Sequence, residues 1–154
     1  CLFIGTDTGL RFKSTRGRGG TVEDIFIRNI GMADIPGDAI TFDLYYGGKA
    51  PLEVAGKGGN QTAADIPAVD ETTPSFRNIS VEGVTCNGAK RAIYMNGLPE
   101  MPIKDIKISR STFKAQEGAI LNYTDGLTLD GVKITAADGK AIKKYNNVTN
   151  LTVQ

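Results

Sequence analysis

Apolar and polar residues alternate in short runs along this chain, and the runs recur. Asp24-Ile25-Phe26-Ile27-Arg28-Asn29-Ile30 matches Asn78-Ile79-Ser80-Val81-Glu82-Gly83-Val84 and Gly126-Leu127-Thr128-Leu129-Asp130-Gly131-Val132, with Phe26 where they carry Ser80 and Thr128. Asp105-Ile106-Lys107-Ile108 and Asn150-Leu151-Thr152-Val153 carry its first half. The lead apolar residue stands at 25, 79, 106, 127 and 151, in steps of 54, 27, 21 and 24. The first step is close to two repeats, or one repeat carrying an insertion. A second register keeps pace with the first: Ala39-Ile40, Ala92-Ile93, Ala119-Ile120 and Ala141-Ile142 each open a short apolar segment, and Gly9-Leu10 holds the equivalent place in the first unit.

Alternation with a period of two predicts strands with one buried face, and a repeat of 20–30 residues predicts a solenoid. Leucine-rich repeats would add leucines at fixed positions and a helical segment, and helical repeats would need a 3.6-residue period. Neither pattern occurs. The expected fold is therefore all-β, a parallel β-helix of about six coils, with Ile, Val and Leu stacked inward and Gly, Asn and Asp at the corners. At about 4.8 Å per coil the rod would be about 30 Å long. Residues 1–154 are expected to form a single domain of this kind. Because Cys1-Leu2-Phe3-Ile4 opens abruptly in an apolar strand, further N-terminal coils are expected to precede it. Residues 47–75 interrupt the repeat with Gly-Gly at 47 and 58 and prolines at 51, 67 and 74. They predict a long inserted loop, either the wall of a groove or a decoration.

Composition narrows the chemistry. With 18 Lys and Arg against 17 Asp and Glu, the net charge is +1, so no global excess favours nucleic acid or a membrane surface. The absence of His removes His-based triads and His metal sites from these 154 residues. No Cys-x-x-Cys or EF-hand spacing occurs, and neither a metal nor a cofactor is expected. Cys1 and Cys86 are expected to be core thiols.

The candidate site is Gly9-Leu10-Arg11-Phe12-Lys13, followed by the basic, glycine-rich Ser14–Gly20. On a strand Arg11 and Lys13 share one face while Leu10 and Phe12 share the other, with the two cationic residues about 7 Å apart along the chain. Such a pair suits an anionic ligand, Arg forking onto a carboxylate and Lys acting as a point charge. An exposed strand with two solvated charges would carry the same residues.

Gly9-Leu10-Arg11-Phe12-Lys13 resembles the Arg-Ile-Lys motif of the family 28 glycoside hydrolases, the polygalacturonase group. Gly17-Arg18-Gly19-Gly20-Thr21-Val22-Glu23-Asp24-Ile25 is similar to the bacterial branch of that group, and Gly97-Leu98-Pro99-Glu100-Met101-Pro102-Ile103-Lys104-Asp105-Ile106 to one of its late coils. The resemblance spans nearly the whole chain. It implies a right-handed parallel β-helix and hydrolysis of α-1,4-galacturonan with inversion, acting on pectin oligosaccharides in a secreted or periplasmic protein. Arg11 and Lys13 would hold a galacturonate carboxylate beside the scissile bond. A tyrosine of the following coil, Tyr45 or Tyr46, would join them, or the two would serve as aromatic packing. The family's acidic motifs and its Gly-His-Gly stretch are missing, so the resemblance places acid and base on preceding coils and leaves this chain inactive by itself. Asp7, Asp34, Asp38 and Asp43 lie near the motif but are expected to be corner residues, Asp38 in a Gly-Asp context. A pectate lyase would need clustered carboxylates for calcium; a non-catalytic adhesin or tail-fibre segment would need no aligned cationic pair.

Overall fold

The computed structural model describes residues 1–45 and 66–154. They contain no helix and ten strands: β1 (Leu2–Ile4), β2 (Leu10–Lys13), β3 (Thr21–Asp43), β4 (Ser75–Asn96), β5 (Ile103–Ala115), β6 (Glu117–Asn122), β7 (Thr124–Ala136), β8 (Ile142–Lys144), β9 (Val148–Thr149) and β10 (Thr152–Val153). The protein is all-β, and the strands pair in parallel. One path runs β1-β3-β4-β5-β7-β10, while β2 pairs with β3, and β6 joins β4 to β8.

The first sequence repeat is the pairing register. Ile25 faces Ile79, Ile79 faces Ile106 and Ile106 faces Leu127. Thr152 facing Thr128 continues the ladder at the last step of 24. Ile79, Ile106 and Leu127 are buried, whereas Phe26 on the opposite face of its strand is 70% exposed. Each buried side chain thus stacks on a like side chain one repeat away, and a slip of one residue would turn every one of them outward.

The second register holds at first and then slips. Leu10 faces Ile40 and Ile40 faces Ile93 as expected, but Ile93 faces Ala119 and Ala119 faces Ile142. The cause is the length of the bend before these strands. Three residues separate Asn87 from Arg91, whereas two separate their partners Lys114 and Glu117. The Ala-Ile pair at 119 is therefore shifted by one residue against those at 39 and 92, and the pair at 141 returns to their register, Ile142 standing in line with Ile93 and Ile40.

Asn, Asp and Gly take left-handed backbone at recurring positions, as expected of corners. Asp24 (φ 57°), Asn78 (50°), Asp105 (52°), Asn150 (51°) and Gly126 (89°) all stand just before the lead apolar residue of a repeat. A second set, Asn29, Gly83, Arg110 and Gly131, recurs at the same spacing, and Asp34 and Gly88 form a third. Asn, Asp and Gly tolerate this region at low cost. Arg110 is the exception in residue type, and its side chain pairs with Glu82.

Side chains from both groups of strands meet in the core. Phe12 and Phe42 stack with ring centroids 4.5 Å apart, and Phe76 meets them edge-on at 6.3 and 6.2 Å. A buried polar ladder runs beside this core. The Asn146 side chain donates to Asn122 (3.1 Å), Asn122 to Asn96 (3.0 Å) and Asn96 to Asp43 (3.2 Å). Cys86 is buried, and burial pushes its thiol up to about 11. Cys1, expected in the core, is instead exposed, because β1 has a partner strand on one side only.

Candidate functional site

Strand β2 orients the cationic pair as its alternation requires. Phe12 turns into the core against Phe42, which leaves Arg11 and Lys13 exposed on the other face. The neighbouring strand supplies the next row. Arg11 faces Thr41 and Lys13 faces Asp43, while Thr41 faces Tyr94 and Asp43 faces Asn96. The result is a recess of about 150 Å³ lined by Thr8, Arg11, Lys13, Asp38, Thr41, Asp43, Arg91 and Tyr94. That is some five times the ~30 Å³ share of a water molecule, the scale of one sugar unit. A larger hollow of about 520 Å³ lies over Asp34, Asn87, Lys90, Lys114 and Gln116. It is an open groove away from the cationic pair, so chemistry rather than size identifies the candidate.

Three cations and two carboxylates line the recess, and their pairings differ. Arg91 forks onto Asp38, Nε to Oδ1 at 2.5 Å and Nη2 to Oδ2 at 3.0 Å, and its guanidinium lies 3.8 Å from the centre of the Tyr94 ring. Asp38 is only 7% exposed, so this pair is a fixed part of the wall. Arg11 donates to Asp7 at 2.8 Å and to Thr8 at 2.7 Å. The Asp7 side chain is 84% exposed, and an ion pair so open to water is weakly held. An incoming carboxylate can displace it at little cost. Burial pushes the Asp43 carboxyl above the usual carboxylate range, against the opposing pull of the Tyr45 N–H and the Asn96 side chain.

The four residues picked out by sequence separate here. Arg11 and Lys13 come together in the recess. Tyr45 is 6% exposed, accepts from Arg16 Nη2 at 3.3 Å through its hydroxyl, and lies outside the lining of the recess. Its ring packs 5.2 Å from the Arg16 guanidinium, which is itself forked onto Glu100 at 2.6 and 2.8 Å. Tyr46 lies outside the described residues, as does most of the 47–75 loop. The rest of that loop explains the glycine-rich segment. The N–H groups of Gly17 and Gly19 both donate to the Thr72 carbonyl at 3.0 Å, and a Cβ at Gly19 would strike the Glu71 carbonyl. This segment docks a loop.

Asp38, Asp43, Arg91 and Tyr94 did not stand out in the sequence. Asp34 is a corner as expected, but Asp38 and Asp43 are not: neither has left-handed backbone, and both line the recess. The signal lay in the second register. A step of 53 carries residue 38 to 91 and residue 41 to 94, which places an acid against a cation and an aromatic in line with Arg11. Among the described residues, no three His, Cys, Asp or Glu side chains gather as metal ligands. No protein-family model, curated protein or solved structure matches the chain.

Proposed function

We propose that this chain is a C-terminal part of a pectin-degrading glycoside hydrolase, where it holds the substrate carboxylate while α-1,4-galacturonan is cleaved with inversion. The observation that carries this is the placement of Arg11 and Lys13 on one wall of a sugar-sized recess, with Arg11 bonded to a solvent-exposed Asp7 and to Thr8. Fork and point charge together suit a carboxylate on a ring. The fold goes with it as a right-handed parallel β-helix. Support comes from six successive parallel strands on one path, from the left-handed residues recurring at each repeat and from the strong preference for right-handed crossovers. About six coils belong to the same reading, for which the six strands of that path are the support.

Inversion requires an acid and a base about 6.5–9.5 Å apart. In the recess Asp38 is committed to Arg91, and Asp43 accepts two hydrogen bonds through Oδ1. The acid and base of the reaction are therefore assigned to other residues of the parent protein, which acts in the periplasm or outside the cell. The test is calorimetric titration of the purified chain with trigalacturonate, repeated with Arg11→Ala. The expected result is binding that weakens by roughly 1.5–3 kcal/mol, the range for a charged hydrogen-bonding partner. Failure of the unaltered chain to bind trigalacturonate, or equal binding by the variant, overturns the proposal.

A further inference from the structure

We propose that Tyr94 is the aromatic wall of this recess, against which the sugar ring bearing the clamped carboxylate rests, and that Arg91 and Asp38 are its positioning residues. The inference rests on the galacturonan reading above. Its geometry comes from the strand register. Arg11, Thr41 and Tyr94 occupy the same position on three adjacent strands, and all three line the recess. Adjacent strands are about 4.8 Å apart, so Arg11 and Tyr94 stand about 10 Å apart at the backbone. Thr41, small and 7% exposed, forms a low floor between them. With contacts of about 3.5–4 Å on each side, the gap takes one saturated six-membered ring and not two.

Sugar rings present C–H faces to aromatic rings and polar edges to charged groups. A carboxylate directed toward Arg11 and Lys13 turns the rest of its ring toward Tyr94. The tyrosine is fixed for this purpose. The Arg91 guanidinium sits 3.8 Å from its ring centre, and Arg91 is locked by its two bonds to the buried Asp38. Tyr94 lines the recess together with Arg11 and Lys13. The other tyrosine of this region, Tyr45, is 6% exposed and does not line that recess.

The experiment measures trigalacturonate affinity at several salt concentrations for the unaltered chain, Arg11→Ala, Tyr94→Ala, Tyr94→Phe and Arg91→Lys, with thermal melts to verify folding. Tyr94→Ala is expected to lose on the order of tenfold in affinity with an unchanged salt slope, because the aromatic contact is not ionic. Tyr94→Phe retains the ring and most of the affinity. Arg91→Lys keeps the charge but loses the planar fork, and is expected to fall between the two. Arg11→Ala flattens the salt dependence instead. If Tyr94→Ala binds as the unaltered chain does while Arg11→Ala is impaired, the clamp stands and the tyrosine inference falls. The same holds if Tyr94→Phe loses as much as Tyr94→Ala. If the unaltered chain does not bind, both fall together.

Discussion

Replacing Asn122 with Ala tests how much of the fold depends on its buried polar ladder. Asn122 is fully buried. Its Nδ2 donates to Asn96 Oδ1 at 3.0 Å, and its Oδ1 accepts from the Asn146 backbone N–H at 3.2 Å and side chain at 3.1 Å. Alanine removes all three bonds, each worth about 0.5–1.5 kcal/mol net. The consequences for the partners differ. Asn146 is exposed, so its donors find water. The Asn96 oxygen is buried at 0% exposure and finds nothing, a further cost of about 1–3 kcal/mol. The expected loss is about 3–5 kcal/mol, a large share of the 5–15 kcal/mol stability of an ordinary domain. Urea denaturation followed by circular dichroism measures it as a lower midpoint at unchanged slope. Asn146→Ala, at the solvent end of the same ladder, is expected to cost about 1 kcal/mol. A loss below 1 kcal/mol for Asn122→Ala, or equal losses for the two variants, would show that water replaces the ladder.

Glu100→Gln is expected to destabilise by about 2–3 kcal/mol in thermal or urea melts, below the 3–5 of a fully buried broken pair, because Arg16 stays 30% exposed. Gly118→Ala is expected to cost about 1–3 kcal/mol by the same assays, since a Cβ there would strike the Ala141 and Lys140 carbonyls of the next row; a neutral result would refute that close approach. Asp43→Asn keeps the oxygen that accepts from Tyr45 and Asn96 and removes a charge that burial disfavours. The raised Asp43 carboxyl means that the folded state holds its proton to higher pH than the unfolded chain, so its contribution is full below 3.8 and is lost as pH rises through the folded value. The variant should abolish that decline in urea titrations run across the acidic range, and an unchanged pH profile would refute the assignment.

The inward ladders were legible because their signal is redundant: Ile25, Ile79, Ile106 and Leu127 sit in like contexts, and burial of like side chains fixes the register. The corners were legible for the same reason, as Asn, Asp and Gly at one repeated position suit one backbone conformation. The second register was only half legible. Ala119-Ile120 looks like Ala92-Ile93, yet the one-residue difference in the preceding bend decides the pairing, and bend length leaves no hydrophobic pattern. Of the site, Arg11 and Lys13 could be read from local alternation alone. Arg91 and Tyr94 belong to it through a 53-residue step, so no local pattern could mark them. Asp38 looked like a corner because the preceding Gly37 suggests a turn, and what brings Asp38 and Asp43 into the lining of the recess is a tertiary fact.

Asp43 connects the ladder to the recess, and that junction has a physical consequence. The donors of the asparagine ladder all point one way, from Asn146 through Asn122 and Asn96 to Asp43. A row of amide dipoles oriented in this sense ends most favourably on an acceptor, and an ionised carboxylate accepts more strongly than an amide oxygen. The same carboxyl faces Lys13 across the strands and is raised by burial. Its ionised form is thus favoured by the ladder and disfavoured by its surroundings, and an anion entering beside it would favour the neutral form further. An asparagine there would complete the ladder equally well in shape, and most of the ladder is asparagine. The acid at its end instead places a carboxyl raised by burial at the strand position facing Lys13.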